Sequence, residues 1–185
     1  QAWTSVMLQV FKIFVLYRFT TRQLRTIPGY DESNMPIDRS MSGSNLYSIS
    51  ECVLLKWMTG HYLKAMPSTA ARVTNFGTPL RDSMVFYSLL VSHWPPLESY
   101  YSLMKKSCRK ESDFTENANT VVRMMSILKL PYRITPEEIV RPNEREMVIF
   151  VAYLYQTLPN LLPKSTVEFE TKLGEAKDNL EVNDS

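Results

Sequence analysis

The stretch that decides the fold runs Ser48-Ile49-Ser50-Glu51-Cys52-Val53-Leu54-Leu55-Lys56-Trp57-Met58 and resumes, past a loop, as Asn75-Phe76-Gly77-Thr78-Pro79-Leu80-Arg81-Asp82-Ser83, with Leu89-Leu90 further on. Glu51 follows Ser48 by three residues, the spacing at which a hydroxyl and a carboxylate each satisfy a free amide at a helix start. The apolar run behind it continues to about Ala65 and stops at Pro67, which predicts a helix. In the second part, Thr78-Pro79 sets a capping hydroxyl before a proline suited to a first helical turn. A helix is therefore predicted from Leu80 to His93, ended by Pro95-Pro96, with Leu80, Met84, Tyr87 and Val91 on its apolar face.

Working outward, a third helix is predicted over residues 112–130, presenting Phe114, Ala118, Val121, Val122, Met125 and Leu128 before Pro131. A fourth follows Pro142 and presents Met147, Phe150, Val151, Leu154 and Leu158 before Pro159. Shorter helices are expected at residues 100–105 and over Thr135-Pro136-Glu137-Glu138-Ile139-Val140, where a hydroxyl, a proline and two carboxylates mark a helix start. No apolar run alternates with period two between hairpin dipeptides. The predicted architecture is all-α: a bundle of four main helices plus short ones, with an N-terminal accessory helix. The expected organisation is an amphipathic helix over 1–27, a Ser/Pro/Gly-containing linker over 28–45, the domain over 46–160 and an acidic tail over 161–185.

Composition bounds what such a domain can do. The 185 residues are 44% hydrophobic and 22% charged, enough apolar matter for one core at a length that leaves little room for a second. Net charge is +2, too close to neutral for bulk attraction to nucleic acid, so any electrostatic site must be local. Five glycines, none in a phosphate-loop pattern, exclude nucleotide-binding loops. Cys52, Cys108, His61 and His93 fall at none of the short spacings that metal sites use, so no metal and no cofactor is expected. The cysteines are read as buried free thiols in a reducing, cytoplasmic compartment. Residues 3–19 are apolar, but Gln9, Lys12 and Arg18 interrupt them, so no membrane span is expected.

Taken in order, these pieces resemble the calponin homology domain, a helical module of cytoskeletal proteins. Leu54-Leu55-Lys56-Trp57 is similar to the family's Leu-Leu-x-Trp in its first core helix. Asn75-Phe76 through Leu80-Arg81-Asp82-Ser83 resembles Asn-Phe followed by Leu-x-Asp-Gly, with Ser83 in place of the glycine. Asn117-Ala118-Asn119 and the end at Leu130-Pro131 are similar to an Asn-rich helix start and a Leu-Gly-Ile-Pro terminus. Residues Thr135 to Val140 resemble a Pro-Glu-Asp-Ile-Val turn. The resemblance spans roughly residues 48–158 and implies an interaction module, not an enzyme. Divergent single copies in large cilia- and flagella-associated proteins are the texture that this chain resembles, which implies an axonemal setting with microtubules or neighbouring axonemal proteins as partners. Actin binding within a tandem pair, and a signalling scaffold that binds a regulatory protein, are the alternatives that the family offers.

Residue by residue, Leu54, Leu55, Trp57, Phe76, Leu80, Leu89 and Leu90 are expected in the core, with Asp82 one turn into its helix as a structural carboxylate. His61 and His93 have no nucleophile and acid in a recognisable arrangement, and Ser102-Leu103-Met104-Lys105 matches a penicillin-binding pattern without its companion motifs. Catalysis is therefore not expected. The one dense basic patch, Lys105, Lys106, Arg109 and Lys110, lies beside Tyr100-Tyr101 and is the candidate contact for an acidic filament surface, with contributions from Lys56 and Lys64.

Overall fold

The computed structural model describes residues 47–69 and 72–161, together with Val6 and Val10. Five α-helices form the described domain: α1 (Ile49–Ala65), α2 (Met84–His93), α3 (Glu111–Ile127), α4 (Pro136–Val140) and α5 (Glu144–Thr157), with 3-10 turns at Thr78–Leu80, Pro95–Leu103 and Leu158–Asn160. No strand occurs among the described residues, and the all-α expectation holds. Of the expected N-terminal helix, Val6 and Val10 are helical and exposed; its remainder, the linker over 28–45 and the tail beyond Leu161 lie outside the described residues. No helix among the described residues is long and apolar enough to cross a membrane.

Helices α1 and α2 form the centre and pack most extensively against one another. Helix α1 starts with the reciprocal cap that its sequence spells: Glu51 N–H donates to Ser48 Oγ at 3.3 Å and Ser48 N–H to Glu51 Oε2 at 2.7 Å. Val53, Leu54, Leu55, Lys56, Trp57 and Met58 are buried in succession, so this helix has no solvent face along its middle. Met84 to Leu90 in α2 are likewise buried without a break. A helix apolar on all sides belongs at a domain centre. Thr59 ties a loop to this centre, since its hydroxyl donates to Leu55 O at 2.8 Å and accepts from Val73 N–H at 3.1 Å.

The other helices cover this pair. Buried Asn117, Ala118, Val121, Met124 and Met125 form one stripe of α3, the spacing of a half-exposed helix. Helix α5 buries Phe150, which meets Phe86 at 5.2 Å and Tyr132 at 5.1 Å between ring centres, and Tyr155, which meets Trp57 at 5.1 Å. The α4 cap also forms as expected, with Glu138 N–H on Thr135 Oγ1 at 3.3 Å and Thr135 N–H on the Glu138 carboxylate at 2.6 Å. Arg81 bridges layers, donating from Nε to Val140 O at 2.8 Å while its guanidinium lies 5.0 Å from the Phe114 ring centre. All seven expected apolar core residues, from Leu54 to Leu90, are at most 2% exposed.

The sequence reading fails at the start of α2. Thr78-Pro79-Leu80 makes only a 3-10 turn, and the chain then breaks at Ser83, whose φ of 63° is left-handed, before helix resumes at Met84. Asp82 therefore lies ahead of the helix instead of one turn inside it, where its carboxylate accepts from Met84 N–H at 3.0 Å. Burial raises the Asp82 pKa and that amide opposes the rise. The expected short helix at 100–105 is the end of the longer 3-10 stretch from Pro95, and α3 ends at Ile127 because Lys129 also turns left-handed, with φ of 53°. There Leu130 N–H reaches back to Met125 O at 3.1 Å and Lys129 N–H to Ser126 O at 3.0 Å, the paired closure of a helix C-terminus that usually needs glycine. Ser83 and Lys129 are the only non-glycine residues with positive φ among the described residues, and they stand where the resembled motifs carry glycine. Ser83 is also wholly buried, and its Oγ has no hydrogen-bond partner among the described residues.

Substituting Ser83→Gly is accordingly expected to stabilise the domain by about 1 kcal/mol, because relief of the left-handed backbone and of an unpaired buried hydroxyl outweighs the added freedom of the unfolded chain. Ser83→Ala, which removes the hydroxyl but keeps the backbone cost, should gain less. Urea unfolding midpoints of the two variants check the order.

Candidate functional site

The basic loop is built from the end of the 3-10 stretch to the start of α3. Met104, 4% exposed, anchors its entry in the core, and Lys105, Lys106, Arg109 and Lys110 all stand exposed beyond it. The loop is held by its backbone, leaving the side chains to solvent. Asn117, wholly buried in α3, accepts from Lys105 N–H at 2.7 Å, and its amide nitrogen lies 3.0 Å from Lys105 O, 2.9 Å from Asp82 O and 3.3 Å from Cys108 Sγ. Further on, the Asp113 carboxylate accepts from the N–H groups of Arg109 and Lys110, both at 2.9 Å. Those two amides hold the Asp113 pKa below the ordinary carboxylate value. Asn117 was read only as part of an Asn-rich helix start, whereas it lies well inside α3 (Glu111–Ile127); an amide on an otherwise apolar stripe with Val121 and Met125 is a legible sign of a buried polar anchor.

The four cations are not equivalent. Lys105 pairs with Glu116 at 3.3 Å, whereas Lys106 places its ammonium 5.1 Å from the Tyr101 ring centre. Among the described residues neither Lys106, Arg109 nor Lys110 forms an ion pair through its side chain. Nearby, Arg141 is held at 2.7 Å by Glu111 and at 3.3 Å by Glu137, exposed pairs that contribute little to stability. Of the two more distant expected contributors, Lys64 is exposed in the last turn of α1 and lines a groove that Tyr101 also lines. Lys56 is 4% exposed inside the core layer and takes no part in this surface. Because α1 is buried all round, no periodic face marked that position as interior.

Cys52 and Cys108 are free thiols, as expected, but half-buried instead of buried, and Cys108 lies in the loop outside any helix. Burial raises both thiol pKa values, reinforced by Glu51 at Cys52 and by Asp82, Asp113 and Glu116 at Cys108, which opposes thiolate formation. No group of three or more potential metal ligands occurs among the described residues.

The fold does assemble one cluster that the sequence separates. His61 and His93 meet between α1 and α2 with ring centres 4.8 Å apart, against Trp57 at 5.4 and 6.2 Å. His93 Nδ1 is 2.8 Å from Leu89 O, and His61 Nδ1 is buried without a partner among the described residues. The charged neighbour is Lys64, and no carboxylate contributes to either shift. Burial first, then His93 and Lys64, lowers the His61 pKa to about 3; burial likewise lowers that of His93. The pair is therefore neutral at neutral pH and packs against Trp57.

The calponin homology (CH) domain family matches residues 49–160, and the chain belongs to that family. More particularly, it is 30% identical to cilia- and flagella-associated protein 47 of Homo sapiens and 29% identical to that of Mus musculus, each match covering 94% of this chain. Fimbrin of Saccharomyces cerevisiae is 30% identical over 61% of the chain. This chain spans about 6% of the length of the two cilia- and flagella-associated proteins and 16% of that fimbrin. No solved structure matches it significantly.

Two substitutions probe this site. Asn117→Ala should cost about 3 kcal/mol, since it removes the amide and leaves Lys105 N–H and the Asp82 carbonyl without their partner, and amide exchange should accelerate across 105–110 before the core opens. For the histidines the unfolded rings titrate near the ordinary 6.5 and folded His61 near 3, so below pH 6.5 the unfolded chain binds more protons. Stability is then full above that pH and falls toward pH 3, at about 1.4 kcal/mol per pH unit for each such proton. Denaturant midpoints measured from pH 7 to 4.5 should decline more steeply for the native chain than for His61→Phe.

Proposed function

We propose that this chain is a non-enzymatic cytoskeletal docking module of a large axonemal protein of cilia or flagella, and that it binds microtubules or neighbouring axonemal subunits through the 105–110 loop. The carrying observation is how far each similarity extends. The match to the cilia- and flagella-associated proteins covers 94% of the chain and so runs well beyond residues 49–160, whereas the match to yeast fimbrin covers 61%. The loop supports the reading physically, since Lys106, Arg109 and Lys110 are exposed on a backbone-anchored loop and form no side-chain ion pair among the described residues. Lys105, Lys106, Arg109 and Lys110, together with Lys64, would draw in an acidic surface at long range, and the fixed backbone spares the entropy of ordering a loop on contact. Flanking Glu111, Asp113 and Glu116 leave residues 105–116 with four cations against three anions, which fits a salt-sensitive contact of moderate strength. The fimbrin similarity supports a second reading, docking to actin filaments.

Cosedimentation of the full 185-residue chain with microtubules and, in parallel, with filamentous actin separates the two. Pelleting with microtubules at low salt should fall by about tenfold when Lys105, Lys106, Arg109 and Lys110 are all changed to Ser, with the thermal midpoint nearly unmoved because the loop is held by its backbone. Pelleting with actin alone would transfer the module to the second reading, and pelleting with neither would overturn filament docking altogether.

A further inference from the structure

Beside the basic loop runs a groove of about 480 Å³, walled by Lys64 at the end of α1 and by Met66 and Pro67 just past it, by Val91 of α2 above the buried ring of Tyr87, and by the 3-10 stretch that carries Tyr101. Its floor is apolar and aromatic: the rings of Tyr87 and Tyr101 lie 5.7 Å apart between centres and 36° from parallel. The Tyr87 hydroxyl is already committed to Glu98 O at 3.2 Å, so it adds rigidity here instead of polarity. One cation lines the groove and a second lies close to one of its rings. Lys64 belongs to the α1 wall, and Lys106 lies over the Tyr101 ring from the loop side. Neither has an ion-pair partner among the described residues, and Glu98 is the one carboxylate residue lining the groove.

Size limits what can enter. An α-helix 10–12 Å across with a 5.4 Å pitch displaces roughly 500 Å³ per turn, so this groove would seat a single turn. An extended chain, which sends alternate side chains into a surface and away from it, fits the space along more of its length. Charge narrows the choice further, because two ammonium groups without an ion pair among the described residues, Lys64 in the wall and Lys106 beside Tyr101, outnumber the single lining carboxylate of Glu98 and favour carboxylates on either side of an apolar residue.

We infer that this groove receives an extended acidic segment of a partner protein, with one apolar side chain among Met66, Val91 and Tyr101, and flanking carboxylates on Lys64 and Lys106. The inference rests on the docking reading above and deepens it: the loop attracts the acidic surface, and the groove selects the segment that is held.

The test uses the full chain and a synthetic glutamate-rich peptide with one central Leu-Pro step, beside the same peptide with glutamine at every glutamate. Methyl resonances of Met66 and Val91 should shift with the glutamate peptide and hardly at all with the glutamine one. Lys64→Glu and Lys106→Glu should each weaken binding by about tenfold. Equal binding of both peptides, or shifts confined to residues 109 and 110, would overturn the inference. So would movement of the groove resonances on deleting residues 162–185 in the absence of peptide, since that chain segment would then be the occupant. The two levels fail separately. Loop-dependent filament pelleting that survives Lys64→Glu, with no peptide in the groove, removes the groove and keeps the docking; peptide in the groove with no pelleting does the reverse.

Discussion

The amide side chain of Asn117 lies wholly inside the domain and meets backbone groups from two other parts of the chain, the Asp82 carbonyl ahead of α2 and both the N–H and the carbonyl of Lys105. Buried peptide groups in non-repeating segments have no ladder to join, so each must find a side chain or water. Here one residue does this for the entry to α2 and for the first residue of the basic loop together. The placement of the loop is thereby coupled to the register of the core: α3 can slide against α2 only by abandoning these bonds in a region of low dielectric, where each is hardest to lose. A surface feature with exposed side chains thus inherits its position from a polar group wholly buried in the domain.

What was legible in the sequence was local. The caps Ser48–Glu51 and Thr135–Glu138 are complete within four residues, so their hydrogen bonds follow from spacing alone. The apolar core from Leu54 to Leu90 followed from the apolar composition of its segments. The break at Ser83 was not legible, because Leu80 and Met84 keep the helical interval across it and Thr78-Pro79 has the signature of a helix start. Only the tertiary demand that α2 begin beside Asn117 and α3 overrides that local preference. Lys56 was misplaced for a related reason: in a helix buried on every side, periodicity carries no information about exposure. The contact between His61 and His93 depends on how α1 and α2 cross, which neither segment encodes by itself.

The charge distribution shows how a nearly neutral domain presents a directed surface. Arg141 and Lys105 are paired with carboxylates, while Lys64, Lys106, Arg109 and Lys110 form no ion pair among the described residues. Position, more than total charge, sets the field felt by an approaching partner, and fields from exposed groups fade within about 10 Å at moderate salt. Membership of the calponin homology family describes the scaffold, and under the proposed docking the specificity would reside in which cations that scaffold leaves without an ion pair.

The two left-handed turns at Ser83 and Lys129 bear on how relatives of this chain can be found. In each place the backbone keeps a conformation that glycine adopts freely, while the residue that would advertise it is gone. A search that demands glycine there passes over this chain, whereas one that asks for the flanking contacts, an Asp cap before α2 and a returned amide after α3, retains it. Shape has outlasted its usual spelling, and distant copies of the domain are better sought by the hydrogen bonds that their turns must close than by the letters that commonly close them.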